Sequence, residues 1–146
     1  MEPNGRRWAN DSERGLLPQL QTKELLHFWE ARVFREAWED LKLDSDDLLD
    51  LQTEIILAPK RAPIIQGTGG LRKLRFSPER WPMGKSGALR VCYVYFEDYG
   101  EVLLVLVYSK SEKEDLDADD RKAVRQLIER QRAAFARRTR KGGADR

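Results

Sequence analysis

The sequence predicts an α+β fold, with an antiparallel sheet preceded by two helices and followed by one. Three observations lead there. Two helix-period segments lie early in the chain, between residues 33 and 58. Three strand-like runs then follow one another with no helix between them. A long helix-period segment closes the order. Consecutive strands flanked by helices argue against the alternating strand–helix order of α/β proteins.

Residues 1–22 mix Pro, Asn, Gly, Ser and charge without clear periodicity, and read as a poorly ordered tail. Leu25 to Arg32 reads as a first strand. Val33 to Leu41 reads as a short helix, with Phe34, Trp38 and Leu41 spaced about a turn apart. A second helix follows. Asp44 or Ser45 caps it, and Asp46 and Asp47 suit its positive end. Its apolar stripes are Leu48, Leu51, Ile55 and Leu49, Ile56. Pro59 ends it, because proline cannot continue the hydrogen-bond ladder. Gly67-Thr68-Gly69-Gly70 is a turn. Strands are expected at Leu71–Phe76, Ala88–Phe96 and Val102–Tyr108, the last two joined through Glu97-Asp98-Tyr99-Gly100. The last strand is apolar on both faces and so belongs at the centre of the sheet. The final helix is expected from Ala118 to Phe135, with Val124, Leu127 and Ile128 facing the core. The expected organisation is one domain over 23–136 and a basic tail over 137–146 that frays.

The formal net charge of +2 hides strong segregation. Eight basic residues stand between Lys60 and Arg90 against one acid, Glu79. From Glu36 to Asp50 seven acids stand against Lys42 alone. A basic patch of this kind suits a polyanionic partner, while the acidic run reads as ordinary solvated surface. Cys92 is the sole cysteine, which rules out an intrachain disulfide and fits a reducing compartment. The first eight residues lack a signal-peptide core, and no apolar run approaches the ~20 residues of a membrane helix. The expectation is a cytoplasmic protein with no membrane partner.

Strand alternation gives the basic residues their geometry. Lys73 and Arg75 share one face of their strand, and Arg72, Leu74 and Phe76 the other. Arg90 lies on the opposite face from Leu89, Val91, Tyr93 and Tyr95. If the strands pair as neighbours, Arg90 stands near Lys73 and Arg75. Like charges gathered on a sheet face repel, and a phosphate would relieve them, since arginine matches its geometry. The same pattern also fits a solvated face on which Lys and Arg protect an edge. The basic face of the last helix (Arg121, Lys122, Arg125, Arg132) has the same two readings: phosphate contacts or plain solvation.

Several chemistries drop out. His27 is the sole histidine, so no two-histidine ribonuclease site exists, and it reads as structural. One His and one Cys cannot form a zinc site. Asp44-Ser45-Asp46-Asp47 resembles the start of a calcium loop, but Leu49 and Ile55 occupy the positions that need Gly and Glu. Gly84-Lys85-Ser86 looks like the end of a P-loop, but Glu79 replaces the earlier glycine and a strand follows instead of a helix. No metal or cofactor is expected.

Three blocks then resemble a known family. Gly67-Thr-Gly-Gly-Leu-Arg-Lys-Leu-Arg-Phe76, Gly84-Lys-Ser-Gly-Ala-Leu-Arg-Val91 and Tyr108-Ser-Lys-Ser-Glu-Lys-Glu-Asp-Leu116 are similar to the RelE/HigB toxins, specifically the HigB-like branch of type II toxin–antitoxin systems. The resemblance spans about residues 25–130 and implies a RelE-like twisted antiparallel sheet. It implies ribosome-dependent cleavage of messenger RNA by a metal-independent endoribonuclease. It also implies a partner antitoxin with a helix-turn-helix domain. Lys73 and Arg75 match the family's basic pair, Arg90 its next arginine, and Lys110 and Lys113 the basic positions after the last strand. Ser111 and Asp117 stand where well-known members carry a further arginine and a catalytic tyrosine.

On this resemblance the catalytic set is Lys73, Arg75, Arg90 and Lys113, with Arg72, Lys85 and Lys110 binding RNA phosphates. Lys73 serves as general base. Arg75 and Arg90 stabilise the scissile phosphate, and Lys113 or Lys110 donates the proton to the leaving oxygen. Two rivals share the fold: a ParE-like toxin that poisons gyrase, and a degenerate toxin that only binds.

Overall fold

The computed structural model describes residues 25–81, 88–110 and 115–144, with side chains described as far as Arg140. The sequence-predicted tail of residues 1–22 lies outside them. The fold is α+β. The first strand, β1, is His27–Glu30. Helices α1 (Arg32–Asp40) and α2 (Ser45–Leu57) follow. Then come β2 (Leu71–Phe76), β3 (Leu89–Phe96), a 3-10 turn at Glu97–Tyr99, β4 (Glu101–Ser109) and α3 (Ala118–Ala144).

In α1 the apolar spacing does what was expected. Phe34 and Trp38 are buried one turn apart and stack at 5.4 Å. The helix ends at Asp40, and Lys42 just beyond it has a left-handed backbone (φ 62). Asp44 caps α2 in a reciprocal box: the Asp47 amide donates to its carboxylate and the Asp44 amide donates to that of Asp47, both at 2.9 Å. Asp47 is buried, and Arg80 grips it from the loop after β2 through Nε at 3.0 Å and Nη2 at 2.7 Å. Part of the acidic run is therefore structural, as is Arg80 of the basic run.

The strand order is β1-β4-β3-β2. The expected antiparallel pairing holds for β2, β3 and β4, whereas β1 joins β4 in parallel. The reason lies in the connection. Helices α1 and α2 form a crossover that returns the chain to the end of the sheet where β1 began, so β2, and hence β4, runs in the direction of β1. Periodicity within a strand carries no record of this. Between Cys92 and Tyr93 the register with β4 shifts, leaving Val105 as the extra residue of a bulge.

Each face of the sheet carries its own core. On one, Leu89, Val91, Tyr93, Val102 and Leu104 pack with Phe34, Trp38, Leu51 and Ile55 of α1 and α2. On the other, Cys92, Val94, Phe96, Leu103 and Val105 pack with Val124, Ile128 and Phe135 of α3. The apolar strand β4 is thus central, as its sequence implied.

Helix α3 runs well past its expected end at Phe135. Phe135 meets Phe96 edge-on at 5.1 Å. Arg138 donates to the buried Glu101 carboxylate at 2.6 Å. Trp29 Nε1 donates to the same carboxylate at 2.6 Å, and His27 Nδ1 lies 3.1 Å from it. His27 is therefore structural, and Arg138, assigned to a fraying tail, holds the helix to the sheet.

Candidate functional site

The β2–β3 ladder sets Arg75 directly opposite Arg90, and Lys73 opposite Cys92. The β3–β4 ladder sets Arg90 opposite Tyr108. A row across three strands results, running from exposed Arg75 through half-buried Arg90 to buried Tyr108, with Lys73 two residues along β2 on the same face. The side chain of Arg90 is anchored by one nitrogen, Nη1, which donates to the Ala88 carbonyl at 3.0 Å. Among the described residues its remaining N–H groups meet no acceptor and supply a donor fork.

Lys73, Arg75 and Arg90 line one cleft of about 420 Å³. Its other wall comes from Glu54 of α2, from Arg61, Ala62 and Pro63 beside the edge strand, and from Leu74. Strand alternation brought Lys73 and Arg75 together in the sequence. The opposite wall has no such signal, because α2 and the 61–63 segment reach the cleft through the fold.

The other expected residues are placed differently. Arg72 points to the opposite face, and its Nη1 donates to the carbonyls of Lys60 at 2.9 Å and Ala62 at 2.7 Å. It staples the 60–62 segment to β2 and stands apart from the cluster. Lys110 is exposed and follows Ser109, which pairs with Leu89. It therefore leaves the sheet at the end where Arg90 stands. Lys85 and Lys113 lie outside the described residues. Asp117 accepts from the Asp120 amide at 2.8 Å, and the Asp117 amide donates back to Asp120 at 3.2 Å, so it caps α3.

The basic face of α3 is mostly committed to packing. Arg125 donates to the Gly67 carbonyl at 2.6 Å, and Arg121 lies against Gly67 and 3.8 Å from Asp115. Arg132 sits over the Phe96 ring at 5.4 Å. The turn at 67–70 needs its glycines: Gly67 and Gly69 have positive φ, and a Cβ on Gly69 would come within 3.4 Å of Arg125.

Beneath the cluster Cys92 and Tyr108 are buried. Burial pushes the Tyr108 phenol up to about 12, helped by Cys92 and opposed by the charge of Arg90. Burial likewise pushes the Cys92 thiol up to about 11, against a hydrogen bond from Tyr108 and the charge of Lys73. Cys92 is therefore a packed thiol and not a nucleophile. Tyr108 remains a protonated phenol at any physiological pH. Burial also raises the Glu54 carboxyl, against the charge of Arg61. Among the described residues no three His, Cys, Asp or Glu side chains gather to hold a metal ion, and no helix is long and apolar enough to cross a membrane.

Two guanidinium groups and an ammonium on one face can hold a phosphate and spread its negative charge. No protein-family profile matches the chain. Among solved structures it is similar to a double arginine-to-alanine mutant of the E. coli toxin RelE in the free state. That match has 17% identity and a TM-score of 0.45, and covers 62% of this chain and 88% of that one. It is also similar to a chain of the intact E. coli RelBE toxin–antitoxin complex, at 17% identity and a TM-score of 0.42, over 56% of this chain and 93% of that one.

Proposed function

We propose that this chain is a toxin of a type II toxin–antitoxin system, an endoribonuclease that cuts messenger RNA on the ribosome. The observation that carries the reading is the direct opposition of Arg75 and Arg90 across the β2–β3 ladder, with Lys73 on the same face of one cleft. Opposed like charges destabilise a sheet, and a bound phosphodiester relieves that repulsion. The resemblance of the three sequence blocks to RelE/HigB toxins points to the same chemistry.

In this mechanism the 2′-hydroxyl attacks the adjacent phosphate. Lys73, acting in its neutral amine form, takes its proton. Arg75 and Arg90 neutralise the charge that grows on the phosphoryl oxygens. The 5′-oxygen departs with a proton from Lys110 or Lys113. Tyrosine does not supply that proton from the start of α3, because Asp117 occupies the position and caps the helix. The ribosome orients the message, and such positioning accounts for much of the rate. A helix-turn-helix antitoxin is the proposed partner that silences the site.

Induction of the wild type and Arg90→Ala in a host without antitoxin tests this. The wild type should arrest growth and create new message ends by primer extension, and Arg90→Ala should do neither. Equal arrest and equal cutting by both removes the assignment. Arrest without new message ends points to gyrase instead. Because Asp117 holds the tyrosine position, a toxin-like binder that grips RNA without cutting is the second reading, and unchanged growth with the wild type would favour it.

A further inference from the structure

Resting on that reading of the basic cluster, we infer that the cleft beside it is a nucleobase subsite in which Glu54 selects a base carrying an exocyclic amino group.

The argument begins at the edge of the sheet. Residues 63–65 run alongside β2 and pair with its outer edge. The Ile65 amide donates to the Leu71 carbonyl at 2.8 Å, the Lys73 amide donates to the Pro63 carbonyl at 3.0 Å, and Ile64 bridges Arg72. The next bond of this ladder would run from the N–H of residue 63 to the Lys73 carbonyl. Residue 63 is proline and has no N–H. The ladder stops there, and the outer edge of β2 opens into the cleft with the Lys73 carbonyl as an acceptor.

The walls divide by chemistry. Lys73, Arg75 and Arg90 are cationic and suit a phosphate, while Ala62, Pro63 and Leu74 offer apolar surface. Glu54 reaches the same cleft from α2, half-buried; burial raises its carboxyl, and the charge of Arg61 in the same wall opposes this and favours the carboxylate. Arg61 brings a planar cation of the kind that stacks on bases. A volume of about 420 Å³ falls within the range of small-ligand clefts. Phosphate, apolar surface and hydrogen-bonding groups therefore lie together as a nucleotide requires.

The polarity of the hydrogen-bonding groups sets the preference. An ionised carboxylate and a backbone carbonyl only accept. Cytosine, adenine and guanine each present an amino group to them. Uracil presents two carbonyl oxygens, which a carboxylate repels, and a single N–H.

Titration of the four ribonucleoside 3′-monophosphates, followed by amide NMR shifts, tests this on the full chain. The wild type should bind the cytidine, adenosine and guanosine nucleotides about tenfold more tightly than the uridine one. Glu54→Gln, whose amide can donate to a uracil carbonyl, should narrow that ratio to about twofold, chiefly by improving uridine binding. Arg90→Ala should weaken all four together. Equal binding of the four by the wild type, or a preference that survives Glu54→Gln in a folded protein, overturns the base subsite and leaves the phosphate site standing. Failure of the wild type to bind any of them, or indifference of all four to Arg90→Ala, overturns the reading of the basic cluster itself.

Discussion

Arg75 and Arg90 should destabilise each other in the free protein, and a double-mutant cycle measures by how much. The two face each other in the β2–β3 register, so their Cβ atoms stand about 5 Å apart. For an assumed guanidinium separation of about 6 Å, Coulomb's law gives roughly 0.7 kcal/mol of repulsion at the dielectric of water and roughly 2.8 kcal/mol at an effective value of 20. Arg75 is exposed and Arg90 half-buried, so the low end applies, and about 0.5–1 kcal/mol is expected. The cycle compares the wild type, Arg75→Gln, Arg90→Gln and the double variant by urea denaturation, with tryptophan fluorescence as the signal. Each charge should be less unfavourable when its partner has gone, which isolates the pairwise contribution. Repeating the cycle in about 1 M salt, where the screening length falls to about 3 Å, should bring the coupling near zero. A coupling of zero or of attractive sign at low salt refutes the reasoning, as does one that salt leaves unchanged. Neither result is compatible with two like charges facing each other across the ladder.

Two further outcomes follow from the buried carboxylates. Arg138→Ala leaves Glu101 buried with Trp29 and His27 as its partners among the described residues, and should lower stability by about 2–3 kcal/mol in urea titrations, with Arg138→Lys recovering part of the loss. A change below about 0.5 kcal/mol would mean that the C-terminal part of α3 is not held as described. The carboxyl of Asp47 is held below the usual carboxylate range by its hydrogen bonds with Arg80. Its folded-state value is thus depressed, so its contribution is present above the ordinary Asp range and lost as pH falls through the folded-state value. Arg80→Ala should destabilise the protein at pH 7 and reduce the loss of stability between about pH 4 and pH 2, read from denaturation midpoints across that interval.

The strands that frame the site were legible because each is a local pattern. Strand-length segments bounded by glycine and proline located β2, β3 and β4 to within a residue or so of Leu71–Phe76, Leu89–Phe96 and Glu101–Ser109. Two-residue alternation placed Lys73 and Arg75 on one face without any knowledge of neighbours. The cap of α2 was legible for the same reason, since Asp44 and Asp47 are three residues apart.

What lay beyond the sequence depends on partners distant along the chain. The parallel entry of β1 follows from a crossover of two helices. The continuation of α3 past Phe135 goes with its docking, through aromatic contacts and an arginine that meets Glu101 37 positions earlier. Arg72 reads from the sequence as a phosphate ligand on the other strand face, yet its guanidinium is engaged by carbonyls ten and twelve residues back. Residue types and strand alternation alone therefore determined that this chain would present lysine and arginine on one sheet face. Only the tertiary structure decided that Arg75 meets Arg90 and that Glu54 and Pro63 form the opposite wall. Strand register and helix docking are set by packing between distant segments, and no local spacing encodes them.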